Sequence, residues 1–155
     1  MTPASEPLHL YFDDLVLGEE HAAGTYEVTR EAIIEFASEW DPQPFHIDEA
    51  AAKASIFGGL TACSAHIFSI FCITAQRWQS GAVQVAVAGL GFDETRMHRP
   101  VFAGDFLSCF SIVHALRDSG SRPECGIVTY RTELRNQDGE VVFSTLATSM
   151  MARRQ

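Results

Sequence analysis

The stretch ACSAHIFSIFCITAQRW, residues 62–78, decides which fold the rest of the sequence has to build. Between residues 67 and 73 only Ser69 interrupts the apolar side chains, so a helix here is apolar on every side. Such a helix is buried rather than amphipathic. The apolar run is well short of the roughly 20 residues that a membrane span requires, and His66 precedes it. We therefore expect a core helix that a curved sheet wraps.

Five other segments predict the strands of that sheet. Most are rich in β-branched and aromatic residues, and in residues 127–134 the even-numbered positions form one face. Gly89 and Gly91 are typical of a bent or bulged strand, and Asp138-Gly139 is a hairpin turn signal. One buried helix followed by antiparallel strands predicts an α+β domain. The predicted strands are residues 24–29, 83–97, 106–116, 127–134 and 141–151.

A shorter helix is predicted between the first strand and the core helix. Thr29 is a suitable cap for its start. Ile33, Phe36, Ala37 and Trp40 then follow at the spacing of one apolar helix face.

The segment WDPQPFHID, residues 40–48, follows directly. Pro42 and Pro44 restrict the backbone on both sides of the residue between them, so we expect a stiff, extended loop. The loop holds Asp41 and His46 five positions apart. A carboxylate and an imidazole aimed at one water molecule can perform acid–base chemistry near neutral pH. The alternative is that Asp41 caps a turn and His46 is a polar residue before the next helix.

Composition limits the class of protein. The 155 residues are 46% hydrophobic and 20% charged, which suits one domain over residues 1–155, with residues 1–9 as a loose N-terminal arm. The formal net charge of −9 argues against a non-specific nucleic-acid binder. The N-terminus has neither a basic region nor a long apolar run, so we expect no signal peptide and no membrane partner.

The cysteines indicate buried, reduced thiols. Cys63, Cys72, Cys109 and Cys125 include no CxxC pair, so a zinc site has no support and no metal is expected. Reduced thiols fit a cytoplasmic protein.

Three segments, in this order, resemble motifs of one family. Residues 41–46, DPQPFH, resemble the Asp-x-Asn-Pro-apolar-His signature of the MaoC-like hydratases, with Gln43 in place of Asn. Residues 57–62, FGGLTA, resemble the turn that opens that family's central helix. Residues 99–105, RPVFAGD, resemble its Pro-Val-x-x-Gly-Asp segment before a long strand. The resemblance implies a hot-dog fold, in which a curved antiparallel sheet wraps a long helix.

The resemblance also implies an activity. These enzymes include the (R)-specific enoyl-CoA hydratases, so the implied function is adding water to, or removing it from, a trans-2-enoyl thioester of coenzyme A or of an acyl-carrier protein. Asp41 and His46 are the implied catalytic pair. A backbone N–H at the start of the central helix is the implied partner of the thioester oxygen. No cofactor is implied beyond the coenzyme A of the substrate, and hot-dog relatives pair as homodimers or dimer-based oligomers.

The substrate-binding positions depart from the hydratase pattern. The family's His-Gly-Met at the helix start becomes Cys63-Ser64-Ala65, so Ser64 stands where glycine is usual, and a serine further along becomes Cys72. A second version of the motif, Gly-Leu-x-Ala-Ser-Gly-Trp-His, is similar to residues 59–66. The candidate substrate-binding and oxyanion residues are Gly59, Cys63, Ser64 and Cys72.

Two residues near the helix start have less specific interpretations. His66 matches the histidine of the second version, or it is a core histidine with one hydrogen-bonded nitrogen. Cys63 near a helix N-terminus is a candidate nucleophile, or it is a small buried filler.

Two other functions remain open at this point. A hot-dog thioesterase would direct the water at the thioester carbonyl, but common thioesterases carry a carboxylate on the central helix, and residues 62–78 contain none. A non-catalytic protein that binds acyl thioesters is the third possibility, and the changes at Ser64 and Cys72 are its only support.

Overall fold

A computed structural model describes residues 6–155, which form a five-stranded antiparallel sheet curved around one helix. The helices are α1 Arg30–Trp40, α2 Pro44–Ile47, α3 Glu49–Ala54 and α4 Ser64–Ala75, with a single 3-10 turn at Phe12–Asp14. The strands are β1 His9–Leu10, β2 Glu20–Glu27, β3 Val83–Gln84, β4 Ala86–Met97, β5 Phe106–Asp118, β6 Cys125–Arg135 and β7 Val141–Ala152. The strand order is β2-β5-β6-β7-β4, and β1 pairs with β3 in a small parallel ladder. The predicted α+β hot-dog architecture is confirmed.

The core lies between α4 and the concave face of the sheet. The even-numbered residues of β6, from Val128 to Leu134, are all buried, as their alternation predicts. Phe71 of α4 packs on Phe143 of β7 with ring centroids 5.3 Å apart. The bend expected in β4 is present too, since its pairing with β7 shifts register between Gly89 and Gly91.

The central helix is shorter and less enclosed than expected. It begins at Ser64 and ends at Ala75, and one of its faces is open to solvent in the single chain. Ser64, Ala65 and Ser69 are exposed, and Ile73 is 39% exposed. The expectation of a helix buried on every side is therefore wrong for one protomer, because five strands cover only part of its circumference.

Two local expectations are corrected. Pro44 does not continue an extended loop but starts the one-turn helix α2, where its fixed φ suits the first helical position and its missing N–H leaves no donor unpaired. Trp40 does not join the apolar face of α1, because its side chain is 66% exposed, whereas Ile33 and Ala37 are fully buried.

The N-terminal segment is also more ordered than expected. The backbone O of Leu8 accepts a hydrogen bond from Val83 N at 2.8 Å, and His9 lies in β1. The expectation of a loose arm over residues 1–9 is thus wrong at its C-terminal end, and residues 1–5 lie outside the described part of the chain.

None of the helices within residues 6–155 is long and apolar enough to cross a membrane. All four cysteines are free thiols, with Cys63, Cys109 and Cys125 buried and Cys72 half-buried.

Two isoleucines of α4 provide a matched test of the core. Ile70 is 1% exposed, so Ile70→Ala leaves a cavity, and we expect it to lower the free energy of unfolding by about 2–5 kcal/mol. Ile73→Ala makes the same change on the open face, where we expect a loss below about 1 kcal/mol. Urea unfolding monitored by circular dichroism measures both. A loss below about 1 kcal/mol at Ile70 would contradict the packing described here.

Gly126 of β6 is required by close packing. A Cβ built on it would overlap the ring of Phe12, which packs over the sheet at this point. The overlap is with atoms near the base of the ring, so a small rotation cannot relieve it. We expect Gly126→Ala to destabilise the protein by about 1–3 kcal/mol. Gly120→Ala is the control, because a Cβ there meets nothing within 4 Å; equal thermal shifts for the two variants would refute the contact.

Candidate active site

His46 is held in one orientation by a buried backbone carbonyl. The single turn of α2 carries its side chain inward, where the residue is 7% exposed. Its Nδ1 lies 2.6 Å from the carbonyl oxygen of Thr61. A carbonyl can only accept a hydrogen bond, so Nδ1 carries the proton. In the neutral imidazole, Nε2 is therefore the nitrogen with a free lone pair.

That free nitrogen faces Asp41. The Asp41 Oδ2 to His46 Nε2 distance is 3.8 Å, too long for a direct hydrogen bond. Asp41 is fixed because its backbone N–H donates to Ala37 O at 2.9 Å, which ends α1. Its side chain is 40% exposed, whereas that of His46 is 9% exposed. One water molecule can bond to both groups from the solvent side, so the spacing suits a shared water.

The second and third sequence motifs together hold the carbonyl of Thr61 in place. Thr61 and Phe102 form an antiparallel bridge. On either side of it, Ala62 N donates to Val101 O at 2.9 Å and Ala103 N donates to Leu60 O at 3.1 Å. The segments 57–62 and 99–105 are therefore joined by short antiparallel pairing. This pairing positions the carbonyl oxygen of Thr61, which orients His46.

Asp105 anchors the third motif and has no place in the catalytic pair. It is 9% exposed, and its carboxylate accepts hydrogen bonds from Phe102 N and Gln137 Nε2, both at 2.9 Å. Gly104 beside it has φ +92°, which favours glycine. Gly104 and Asp105 thus have a structural role, since they connect residues 99–105 to the β6–β7 hairpin.

The first turn of α4 lies next in the chain after Thr61. Cys63 is the capping residue, is 1% exposed and offers no side-chain acceptor to the helix. Ser64 is exposed, and its N–H is among the first of the helix, which have no acceptor one turn earlier within it. The helix dipole favours an anion here. Gly59 lies in the turn that precedes Thr61, and a Cβ on it would lie 3.7 Å from the ring of Phe102.

The structure does not bring Cys72 to the pair within one chain. Cys72 is eight residues beyond Ser64, about 12 Å along the helix axis. It lines a groove of about 380 Å³ between the second half of α4 and the inner faces of β4 and β7. Burial raises the pKa of its thiol, so it is protonated near neutral pH.

His66 is a core histidine, but not a hydrogen-bonded one. It is 4% exposed and stacks on Phe36 with ring centroids 4.6 Å apart. Its Nδ1 is buried without a partner among the described residues. Burial lowers its pKa, so the ring is neutral. The expected hydrogen-bonded nitrogen is absent from the described contacts.

Sequence reasoning missed Thr61 and the groove. Thr61 acts through its backbone, so its residue type carries no signal. The groove leaves a weak signal in the small residues of the β4 and β7 segments, AVAG at 86–89 and ATS at 147–149. Within residues 6–155 no cluster of three or more histidine, cysteine, aspartate or glutamate side chains is suited to hold a metal ion.

Comparison with known proteins shows the family and the fold of the chain. A family model described as FAS1-like, dehydratase domain region, matches residues 16–145. The crystal structure of a MaoC-like dehydratase from Rhodospirillum rubrum superposes with a TM-score of 0.85 at 36% identity, covering 94% of this chain and 99% of that chain. A Mycobacterium tuberculosis protein with a double hot-dog fold superposes with a TM-score of 0.81 at 20% identity, covering 94% of this chain and 45% of that one.

A mesaconyl-CoA hydratase from Haloarcula marismortui is 45% identical over 67 residues. That match covers 43% of this chain and 19% of the hydratase. The family model and the Rhodospirillum structure both span most of this chain, and both describe dehydratases. The chain therefore belongs to the MaoC-like dehydratases of the hot-dog fold, and it is a hydro-lyase.

Proposed function

We propose that the protein adds water to a trans-2-enoyl thioester of coenzyme A or of an acyl-carrier protein, or removes it, with Asp41 and His46 activating the water. The observation that carries the proposal is that Nε2 of His46 faces the Asp41 carboxylate at 3.8 Å while Nδ1 is held by the carbonyl oxygen of Thr61. The family membership and the mesaconyl-CoA hydratase similarity support it.

The chemistry follows from that spacing. A water held by both groups presents its oxygen to Cβ of the substrate. One proton leaves this water for the pair as the C–O bond forms, and one proton passes from the pair to Cα. The pair then has its original protonation, and the product is the 3-hydroxyacyl thioester. The reaction needs no metal or cofactor, and coenzyme A enters as part of the substrate.

The first turn of α4 is the proposed binding site for the thioester oxygen. That oxygen gains negative charge as Cβ is attacked, and preorganised N–H donors stabilise such charge. The N–H of Ser64 is the proposed donor, with Cys63 and Gly59 shaping the backbone that aims it. The serine side chain narrows the approach but leaves the N–H available. The groove lined by Cys72 is the proposed site for the acyl chain.

The catalytic pair gives the central prediction. We expect Asp41→Asn and His46→Gln each to lower kcat at least about a hundredfold, the scale of losing a general acid or base. The double variant should be scarcely worse than the worse single variant, because the two groups act as a unit. The assay follows loss of the enoyl absorbance of crotonyl-CoA and longer trans-2-enoyl-CoAs, and it follows free thiol in parallel.

Matched controls make the same substitutions elsewhere. His98→Gln and Asp138→Asn change exposed residues outside the pair, and we expect kcat within about twofold of wild type. Since His46 loses a buried hydrogen bond, thermal unfolding checks that its variant is folded. Unchanged turnover in both pair variants would refute the mechanism. Thiol release without enoyl loss would identify a thioesterase instead.

We also propose a homodimer formed through β4. This strand is the outer edge of the sheet and is 12 residues long. Val87, Leu90 and Phe92 on it are about half exposed. A long, exposed, apolar edge strand pairs readily with another strand, and a two-fold axis would place the same strand of a second copy beside it.

Light scattering at micromolar concentration tests the dimer. We expect the mass of two chains for wild type and a shift toward one chain for Leu90→Lys, which places like charges near the two-fold axis. Leu17→Lys is the control, since Leu17 is 63% exposed and precedes β2 at the opposite edge of the sheet. A wild-type monomer would overturn this assignment.

A cytoplasmic location remains part of the proposal, supported by four free thiols.

A further inference from the structure

The groove between α4 and the sheet combines apolar walls with an unusual set of polar groups. Small residues on the facing strands, Ala86, Ala88 and Ala147, create the space, and the rings of Phe71 and Phe92, with centroids 5.9 Å apart, also line it. Here the inner wall carries hydrogen-bond donors whose acceptors are weak or missing.

Trp78 and Tyr130 are the first two donors. Trp78 is 6% exposed, and its indole Nε1 has no acceptor among the described residues. Tyr130 is 6% exposed, and the sulfur of Met151, at 3.7 Å, is the one acceptor that its hydroxyl has among the described residues. A thioether is a weak acceptor. Burial raises the pKa of Tyr130, so its oxygen keeps the proton.

Ser111 and Thr132 supply a third donor. Their hydroxyl oxygens lie 2.9 Å apart, and both residues are at most 3% exposed. Two hydroxyls carry two protons, and their mutual hydrogen bond uses one. The other proton has only the sulfur of Cys109 as a neighbouring acceptor in the described part of the chain. One of the two hydroxyl protons therefore has at most a weak acceptor among the described residues.

Charge restricts the ligand further. None of the described residues that line the groove is acidic, basic or histidine. A carboxylate placed there would lose its hydration without a cation to compensate, which is costly. An uncharged ligand oxygen would instead accept hydrogen bonds from donors in the groove that are already desolvated. A purely hydrocarbon chain would leave those donors unmet, which also costs free energy.

We propose that the groove selects acyl chains that carry an uncharged oxygen acceptor, such as a ketone or ester carbonyl, toward the end distant from the thioester. Tyr130 and the Ser111–Thr132 pair are the residues that determine this specificity. The inference rests on the proposed function for the thioester part of the ligand. It adds the chemical class of the acyl group.

Binding of unreactive substrate analogues tests the inference without catalysis. The probes are saturated acyl-CoAs of increasing length, each compared with the same chain bearing a ketone at the penultimate carbon and with the chain ending in a carboxylate. Isothermal titration calorimetry gives the Kd values. For acyl chains long enough to reach the groove, we expect the ketone-bearing acyl-CoA to bind at least about tenfold more tightly than the hydrocarbon acyl-CoA. We expect the acyl-CoA that ends in a carboxylate to bind more weakly than the one with the ketone.

Two variants assign the effect to the groove. Tyr130→Phe and Thr132→Val keep side-chain shape and remove one hydroxyl each, and we expect each to reduce the ketone preference about threefold or more while hydrocarbon binding stays within about twofold. Thr145→Val is the control, because Thr145 is equally buried on the sheet but lies outside the groove. Its ketone preference should equal that of wild type. Circular dichroism verifies the fold of each variant.

The inference and the proposed function fail in different ways. Equal affinity for ketone and hydrocarbon at every length, absence of binding by either, or a preference unchanged in both groove variants would overturn the inference. A preference lost equally in Thr145→Val would also overturn it. Enoyl-thioester hydration that depends on Asp41 and His46 would still stand in those cases. Conversely, a selective groove in a protein without hydration activity would leave the inference and remove the proposed reaction.

Discussion

The hydrogen bond between His46 Nδ1 and the carbonyl oxygen of Thr61 is the interaction on which the candidate site depends. It fixes the imidazole tautomer, and so it decides which ring nitrogen faces Asp41. The carbonyl has a defined position because Thr61 is bridged to Phe102. The segment containing Phe102 is in turn tied to the β6–β7 hairpin through Asp105 and Gln137. Three separate stretches of sequence thus converge on one imidazole.

This arrangement explains why residues far from the pair carry family motifs. Asp105 accepts hydrogen bonds from its own segment and from the hairpin, and no described hydrogen bond links it to Asp41 or His46. A carboxylate in a motif suggests catalysis, yet here its task is to hold backbone geometry. The motif around Asp105 therefore acts on the reaction through position alone, as preorganisation of a catalytic group requires.

The two ends of α4 serve different parts of the site. Its first turn presents N–H groups shortly after Thr61 in the chain, and its second half forms one wall of the groove. The core between the helix and the sheet is apolar where Phe71 meets Phe143, but becomes hydroxyl-rich around Ser111 and Thr132. Such buried polar groups stabilise a fold only when they are satisfied. The donors of Trp78 and Tyr130, whose acceptors are missing or weak among the described residues, are the basis for the proposed ligand specificity of the groove.

The sequence by itself determined the class of fold, and it singled out Asp41 and His46 as the candidate pair. The alternation in β6 and the Asp-Gly turn are local patterns, and each was found as predicted. The apolar central helix is present, but one of its faces is open to solvent. Asp41 and His46 could be selected as candidates from the sequence because two prolines between them restrict the backbone of a short segment. The sequence did not reveal that Pro44 starts a helical turn, since proline suits both an extended loop and a first helical position.

Only the tertiary structure decided which surfaces are covered. An apolar pattern shows that a helix prefers burial, but the number of strands that reach it is a property of the whole sheet. Ile73 and Trp40 are therefore exposed although their patterns favoured burial. The same reason places Cys72 in the groove and away from the pair, and it brings Trp78, Tyr130, Ser111 and Thr132 to one wall. These residues lie on separate elements, and no local pattern relates them, because their proximity arises from the curvature of the sheet around α4.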